Sequence, residues 1–354
     1  MQHPQRLSRR ETLRRLAALA AVGGAFDGST PAVAAGKAEI MTVQGSIPAG
    51  RLGVALPHEH VMSTFGEEPR YEPGYDEEQL LGQVVPILKR VKALGCRALF
   101  DCTAAYFGRD VRLLRKVAGQ TGLHIITNTG YYGAADDRYV PPHAFEETAE
   151  QLAGRWVKEW KEGIDGTGIR PGFVKLAVDA GPLSEIDAKL IRAGALTHLA
   201  TGLTLAVHTA DNPGAVKEQL AILKRTGVHP GAWIWVHAHQ VAHPEDVLAA
   251  AGQGAWISFD GVRVGEEGED GQPGTILKHL VLLKEMQKRG LLGQVLLSHD
   301  GNSFSSGTDT VRPSDALFTT LLPTLEADGF SRKEIDGLVK TNPQEAFGVR
   351  VRKR

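Results

Sequence analysis

Five apolar stretches end in groups that can hold a cation: His58 and His60 on the first, then Lys175, His208, His237 and Asp300. Imidazole and carboxylate together suit a borderline divalent ion such as zinc, and the set reads as a two-metal hydrolase site. His58 and His60 close the run Leu52-Gly53-Val54-Ala55-Leu56-Pro57. On an extended chain residues i and i+2 face the same side, so the two imidazoles converge while Glu59 faces away. His-x-His alone is common on solvated strand ends, and its weight comes from the other four stretches.

Lys175 stands inside Phe173-Val174-Lys175-Leu176-Ala177-Val178, where burial disfavours its charge and makes a neutral amine accessible. Such an amine can add carbon dioxide to give a carbamate, an anion able to bridge two metals. The alternative is a lysine paired with Asp101 or Asp300.

These residues need a frame that brings distant segments together. Short Val-, Ile- and Leu-rich runs recur at 53–56, 98–102, 124–129, 173–178, 204–207, 233–236, 256–259 and 295–297. Between them lie helical spacings at 77–94, 110–121, 144–162, 186–200, 213–225, 244–251, 275–289 and 315–327. Ser184-Glu185-Ile186-Asp187 and Ser331-Arg332-Lys333-Glu334 match capping boxes, and glycines at 95, 122, 202, 227 and 290 fall where helices should stop. Eight apolar strands alternating with eight helices predict a single (β/α)8 barrel, an α/β fold whose C-terminal strand ends share one mouth. An open doubly wound sheet is disfavoured because His58-Glu59-His60 stands where a glycine-rich dinucleotide turn would follow the first strand. Asp101, Asn128, His239 and Asp260 also fall at strand ends, a crowding of polar groups that a cation would neutralise.

Residues 1–35 read as a cleaved twin-arginine-type export signal, leaving 36–354 as the barrel and a periplasmic location. Arg9-Arg10 precedes a short apolar stretch that is too brief to span a bilayer, and Ala32-Val33-Ala34 offers a cleavage site. No stable membrane association is expected. Without that segment 35 basic and 39 acidic side chains remain, an acidic balance that argues against nucleic acid as a partner. Cys96 and Cys102 read as buried apolar residues rather than a disulfide. The basic run Val349–Arg354 reads as a solvated end.

Several motifs, in order, resemble the phosphotriesterase family of the amidohydrolase superfamily, its lactonases included, over nearly all of residues 36–354. They are Gly53-x-x-Leu56-Pro57-His58-Glu59-His60, Asp101-Cys102-Thr103 with Gly108-Arg109-Asp110, Phe173-Val174-Lys175, Val207-His208-Thr209, Val236-His237, Ser298-His299-Asp300 and Thr341-Asn342-Pro343. The resemblance implies two divalent ions, with His58, His60 and Asp300 on the buried one, His208 and His237 on the exposed one, and carboxylated Lys175 and a hydroxide bridging them. Attack on an ester, lactone or organophosphate follows, with Asp300 as ligand and proton acceptor. A small-molecule substrate is implied, and dimers are common in that family.

Two departures from the pattern bear on substrate. The family's proton relay uses a histidine just after the seventh-strand aspartate and an acid three residues beyond the sixth-strand histidine; here those places are Gly261 and Gln240. His239 either takes over the relay or supports Asp260 or Asp300 by hydrogen bonding. Tyr132, in Gly130-Tyr131-Tyr132, matches a lactonase tyrosine that could bond a substrate oxygen or cap the metals, and also suits simple rim packing. The acidic, glycine-rich stretch 264–273 reads as a lid or a solvated insertion. Two rival functions stand beside the hydrolase of esters: a periplasmic metal-binding protein that has lost turnover, and a barrel hydrolase of sugar phosphates.

Overall fold

The computed structural model describes residues 38–265, 274–307 and 310–354. Residues 1–35, read above as an export signal, and most of the stretch 264–273, read as a lid or a solvated insertion, lie outside them.

All eight apolar runs form strands, and neighbours pair in parallel. A hairpin of β1 (Glu39–Thr42) and β2 (Gly45–Pro48) comes first, followed by β3 (Ala55–His60), β4 (Ala98–Asp101), β5 (His124–Ile126), β6 (Asn128–Thr129) and β7 (Phe173–Ala177). Then come β8 (Leu205–His208), β9 (Trp233–Val236), β10 (Trp256–Phe259), β11 (Val295–Leu297) and β12 (Gly301–Asn302). One sheet runs β12-β3-β4-β5 and the other β6-β7-β8-β9-β10-β11. β5 and β6 are one run interrupted at Thr127, and β11 and β12 one run interrupted at Ser298–Asp300. The two sheets therefore continue each other round the (β/α)8 barrel.

Helices follow the strands: α1 (Glu77–Ala93), α2 (Val111–Thr121), α3 (Pro142–Glu146), α4 (Ala149–Glu162), α5 (Glu185–Thr201), α6 (Pro213–Thr226), α7 (Pro244–Gly252) and α8 (Ile276–Lys288). The eighth expected helix opens with a wide π turn at Leu317–Leu321 before its α-helical part, Leu322–Ala327. The third expected helix is two. Thr148 Oγ1 accepts from Gln151 N while Gln151 Oε1 accepts from Thr148 N, a capping box that starts α4 afresh. The boxes at Ser184 and Ser331 are present as the sequence predicts.

Strand residues alternate between two cores, as a period of two requires. Phe100, Phe173, Ala206, Ile234, Trp256 and Leu296 fill the barrel interior, while Leu99, Val174, Val207, Trp235, Ile257 and Leu297 pack outward against the helices. Phe347 closes the lower end with its ring 4.0 Å from that of Phe100, and Ile40 of the hairpin joins the same cluster. Lys175 is two residues beyond Phe173, so it points inward one layer higher.

β3 departs from the alternation where the site needs it. Ala55 and Leu56 pair with Ala98 and Leu99, but Glu59 pairs with Asp101, so Pro57 and His58 together oppose Phe100. This bulge adds one residue and reverses the phase. Ala55 faces inward; without the bulge Pro57 and Glu59 would follow it, and both histidines would face the helices. Proline is tolerated there because a bulged residue gives up a ladder hydrogen bond.

The basic C-terminus is not a solvated tail. Val349 N, Arg350 N and Arg354 N donate to the carbonyls of Glu39, Gly202 and Gly227, and the Arg352 guanidinium donates to those of Glu345, Ala346 and Gly348. Helix C-terminal carbonyls lack partners within their helix and attract a cation, which is why this run is held in place. Cys96 and Cys102 are buried and unbridged. No helix among the described residues is long and apolar enough to cross a membrane.

The C-terminal run is fastened to α5 by a titratable latch. His198 Nδ1 donates to Leu203 O at 2.8 Å and its Nε2 accepts from Arg352 N at 2.8 Å, an arrangement open only to the neutral ring. Burial holds the pKa of His198 down to about 4, against roughly 6.5 in the unfolded chain. Because the folded value is the lower one, the contribution is complete above pH 6.5 and is lost as pH falls towards 4. Between pH 7 and pH 4 the wild type should lose on the order of 3 kcal/mol relative to His198→Gln, read from urea midpoints at unchanged slope. Parallel pH profiles for the two proteins would refute the latch.

Candidate metal centre

The mouth of the barrel gathers every group that the sequence assigned to metal. His58, His60, Lys175, His208, His237 and Asp300 line one cavity of about 190 Å3. His58 Nε2 and His60 Nε2 lie 3.2 and 3.3 Å from Asp300 Oδ1. The His237 ring stands 4.9 Å from that of His58 and 4.5 Å from that of His208. His237 and Asp300 leave their strands in the left-handed region, at φ 62° and 56°, a conformation uncommon outside glycine that turns each side chain into the mouth.

The outer hydrogen bonds leave lone pairs aimed inward. Thr103 Oγ1 gives its proton to Met62 O at 2.7 Å, so it accepts from His60 Nδ1 at 2.8 Å and leaves the Nε2 lone pair of His60 free for a cation. His237 Nδ1 donates to Asp260 Oδ1 at 2.8 Å with the same result for its own Nε2. Both ring nitrogens of buried His58 lack a hydrogen-bond partner, and ligand atoms of His58, His237 and Asp300 all lie within 4.8 Å of one another. Orphaned buried nitrogens beside a carboxylate are what a divalent cation satisfies.

Protonation fits as well. Burial pushes the Asp300 carboxyl up, but the imidazoles of His58 and His60 at 3.2 and 3.3 Å, with His237 beyond them, outweigh it and hold the pKa well below the usual carboxylate range. Asp260, fully buried, is likewise held low by His237 and His58 against the effect of burial. Burial holds His60 down to about 4, and burial with neighbouring His237 and Lys175 holds His208 well below its ordinary value. Anionic Asp300 beside neutral His60 and His208 matches the forms that bind metal, whereas His58, pressed down by burial but lifted by Cys102 and Asp260, is held well above its ordinary value and would release its proton when a metal binds.

Lys175 is 1% exposed, and among the described residues no ion pair joins it to Asp101 or Asp300. Those two have other work. Asp101 Oδ1 accepts from Val61 N at 2.8 Å, and Asn128 Nδ2 donates to the carbonyls of Asp101 and Thr103, so Asp101 and Asn128 tie strands together behind the site. Tyr132 is in the cavity wall, with its hydroxyl 3.4 Å from His208 Nδ1 and its ring stacked on Phe107 at 4.8 Å. His239 is not in that wall. It is buried behind Asp260, its Nδ1 3.4 Å from Asp260 Oδ1 without hydrogen-bond geometry, and its ring stacks on His279 at 5.3 Å. A Cβ on Gly261 would meet His239 Nε2 at 2.2 Å, so the ring fills the space that a side chain at 261 would take.

Sequence reasoning missed Ser63, Phe65, Phe107 and Arg312, which also line the cavity. Phe107 adjoins the quoted Gly108-Arg109-Asp110, whereas Arg312 sits in a stretch without periodicity. Its Nε donates to Asp300 O at 2.9 Å, a contact that only the fold reveals.

The profile of the phosphotriesterase family matches residues 38–347. A phosphotriesterase homology protein of Escherichia coli (strain K12) is 28% identical over 298 residues, covering 83% of this chain and 98% of that protein. An aryldialkylphosphatase of Saccharolobus solfataricus is 27% identical over 317 residues, 85% of this chain and 97% of its own. A solved structure described as organophosphate hydrolysis activity engineered from a weak promiscuous lactonase template superposes with a TM-score of 0.78 at 26% identity, covering 88% of this chain and all of that one.

The packing of His239 against residue 261 is testable. Gly261→Ala should cost about 1–3 kcal/mol by overpacking, and in His239→Ala the same change should cost clearly less, giving a coupling readable in a double-mutant cycle of urea midpoints. Additive effects would mean that the ring does not occupy that space.

Proposed function

Because the chain belongs to the phosphotriesterase family, we propose that it is a metal-dependent hydrolase of ester bonds, acting on a small ester, lactone or organophosphate. One observation carries this: six potential ligands share one cavity, with the Asp300 carboxylate anionic and, at His60 and His208, imidazoles held neutral. We assign His58, His60 and Asp300 to one divalent cation, His208 and His237 to a second, and Lys175, as a carbamate, to both; the ligand types suit zinc. When bound, such a pair supplies a hydroxide at neutral pH and polarises the oxygen of the bond being broken.

The rest of the work falls to the chain. Lys175 is buried and, among the described residues, joined in no ion pair, so as an anionic carbamate beside two cations it would carry its charge with partners. Asp300 is ionised, partly exposed and on the cavity wall, so its carboxylate takes the proton given up by the attacking water. The Tyr132 hydroxyl, beside His208, donates to the substrate oxygen, and Phe65 and Phe107 form an apolar wall that excludes water and receives the leaving group. His239 supports Asp260, which in turn orients His237 and His58. We further propose that residues 1–35 direct export.

Purified wild type should carry two metal ions per chain by elemental analysis and turn over at least one member of a panel of aryl phosphotriesters, lactones and aryl esters. Lys175→Ala should lose both metal and turnover; an active Lys175→Ala, or fewer than two metals in wild type, would refute the mechanism. His239→Gln should lose metal as a support does, whereas full metal with abolished turnover would make His239 a proton relay. In Tyr132→Phe, kcat should fall at unchanged metal content, on the order of ten- to a thousandfold for a lost donor to developing charge.

A further inference from the structure

Glu59 lies between the two strand-one histidines on the opposite face, 1% exposed. Five donors converge on its carboxylate. Ser298 Oγ, His299 N and His299 Nδ1 reach Oε1 at 2.7, 3.0 and 2.9 Å. Gly301 N and Ser314 Oγ reach Oε2 at 2.8 and 2.7 Å. Four of them come from Ser298, His299 and Gly301, around Asp300, and the fifth from Ser314; the residues on both sides of Asp300 donate through their backbone. With 299 and 301 pinned to one carboxylate, Asp300 forms a one-residue arch at φ 56°, and its side chain leaves on the far side, towards His58 and His60. The fit is tight: a Cβ at Gly301 would stand 2.5 Å from Glu59 Oε2. The His299 ring is fixed in turn, because its Nε2 accepts from Leu317 N at 2.9 Å.

We propose that Glu59 is a positioning residue that sets Asp300 against His58 and His60, and thereby builds the buried half of the metal centre. The proposal rests on the reading that these three residues ligate metal. The logic is geometric. Successive residues of β3 present ligand, anchor, ligand, so the distance from the two imidazoles to the arch is fixed by covalent adjacency on one strand and by short charged hydrogen bonds on the other. An amide at position 59 keeps the shape but turns an NH2 towards donors on whichever side it faces.

The test uses Co2+ as probe, added to metal-free protein and followed by d–d absorption and bound-metal analysis. Glu59→Gln should remain folded, bind one of its two Co2+ ions about 10- to 100-fold more weakly with an altered spectrum, and lose kcat by a similar factor, at a KM within about threefold of wild type. A merely structural role would lower Tm yet leave the Co2+ affinity, spectrum and kcat per folded chain unchanged, and that result would overturn the proposal. If Glu59→Gln does not fold, Ser314→Ala removes a single donor remote from the cavity and should weaken Co2+ retention in the same direction; wild-type retention there would overturn it equally. Wild type that takes up fewer than two Co2+ ions would sink the two-metal reading and this one with it, whereas two ions in wild type and an indistinguishable Glu59→Gln would sink this one alone.

Discussion

A barrel of parallel strands has to close between its first strand and its last, and here that seam is held by a buried anion. β12 contributes only two register pairs to β3, Gly301 with Glu59 and Asn302 with His60. The Glu59 carboxylate adds five hydrogen bonds across the same seam. Withdrawing an unpaired carboxylate from water costs several kcal/mol, recovered only when its lone pairs are filled with good geometry. Five donors fill them, so closing the barrel and satisfying the charge are one event. The arrangement also runs onward, through Ser303 N to His60 O and Ser63 N to Phe304 O, which carries the closure to the cavity rim.

The same strand explains why ligands and anchor stay apart. The bulge at Pro57 and His58 reverses the alternation within β3, so the strand begins with Ala55 in the barrel interior and ends with two imidazoles there. Had the pleat run on undisturbed, Glu59 would point into the mouth and the histidines into the helical layer, where neither could serve. On the inner side a second carboxylate, Asp260, is shared by His237 at 2.8 Å and His58 at 3.3 Å. Strand one is thus flanked by two buried carboxylates, one setting backbone and the other setting rings. Lys175 is buried beside the same imidazoles, so under the proposed two-metal reading a carbamate at the lysine and cations at the ligands would relieve one electrostatic problem.

Much of this was legible in the sequence because periodicity and strand-end position survive without coordinates. Eight apolar runs gave the strands, and their polar ends named all six cavity groups before any distance was known. What was hidden follows a pattern. The hairpin of β1 and β2 is built from four-residue strands with little alternation, and its role, Ile40 under Phe100 and Phe173, is tertiary. Thr148-x-x-Gln151 was available as a helix start yet lay inside a continuous helical spacing, which concealed the break. The C-terminal run looked like solvated charge because nothing local says that helix-end carbonyls await Arg352. Glu59 could be seen to face away; its five partners, some 240 residues distant, could not.

The altered surroundings of Asp260 show how a family pattern can change while its ligands stay. A side chain at 261 and an imidazole at 239 compete for one volume, since a Cβ on Gly261 would press on His239 Nε2 at 2.2 Å. The glycine is therefore a condition for His239 to lie against Asp260. The exchange moves an imidazole from the neighbour of a strand-end carboxylate to a place behind it, outside the cavity wall and stacked on His279. An imidazole there can steady Asp260 but lies outside the cavity wall that holds Asp300, so under the proposed mechanism a proton taken up by Asp300 would leave by the cavity itself, past Arg312 and the aromatic wall. On the proposed reading metal binding and proton exit are thereby separable in this barrel: the first would depend on six groups at strand ends, the second on the cavity rim.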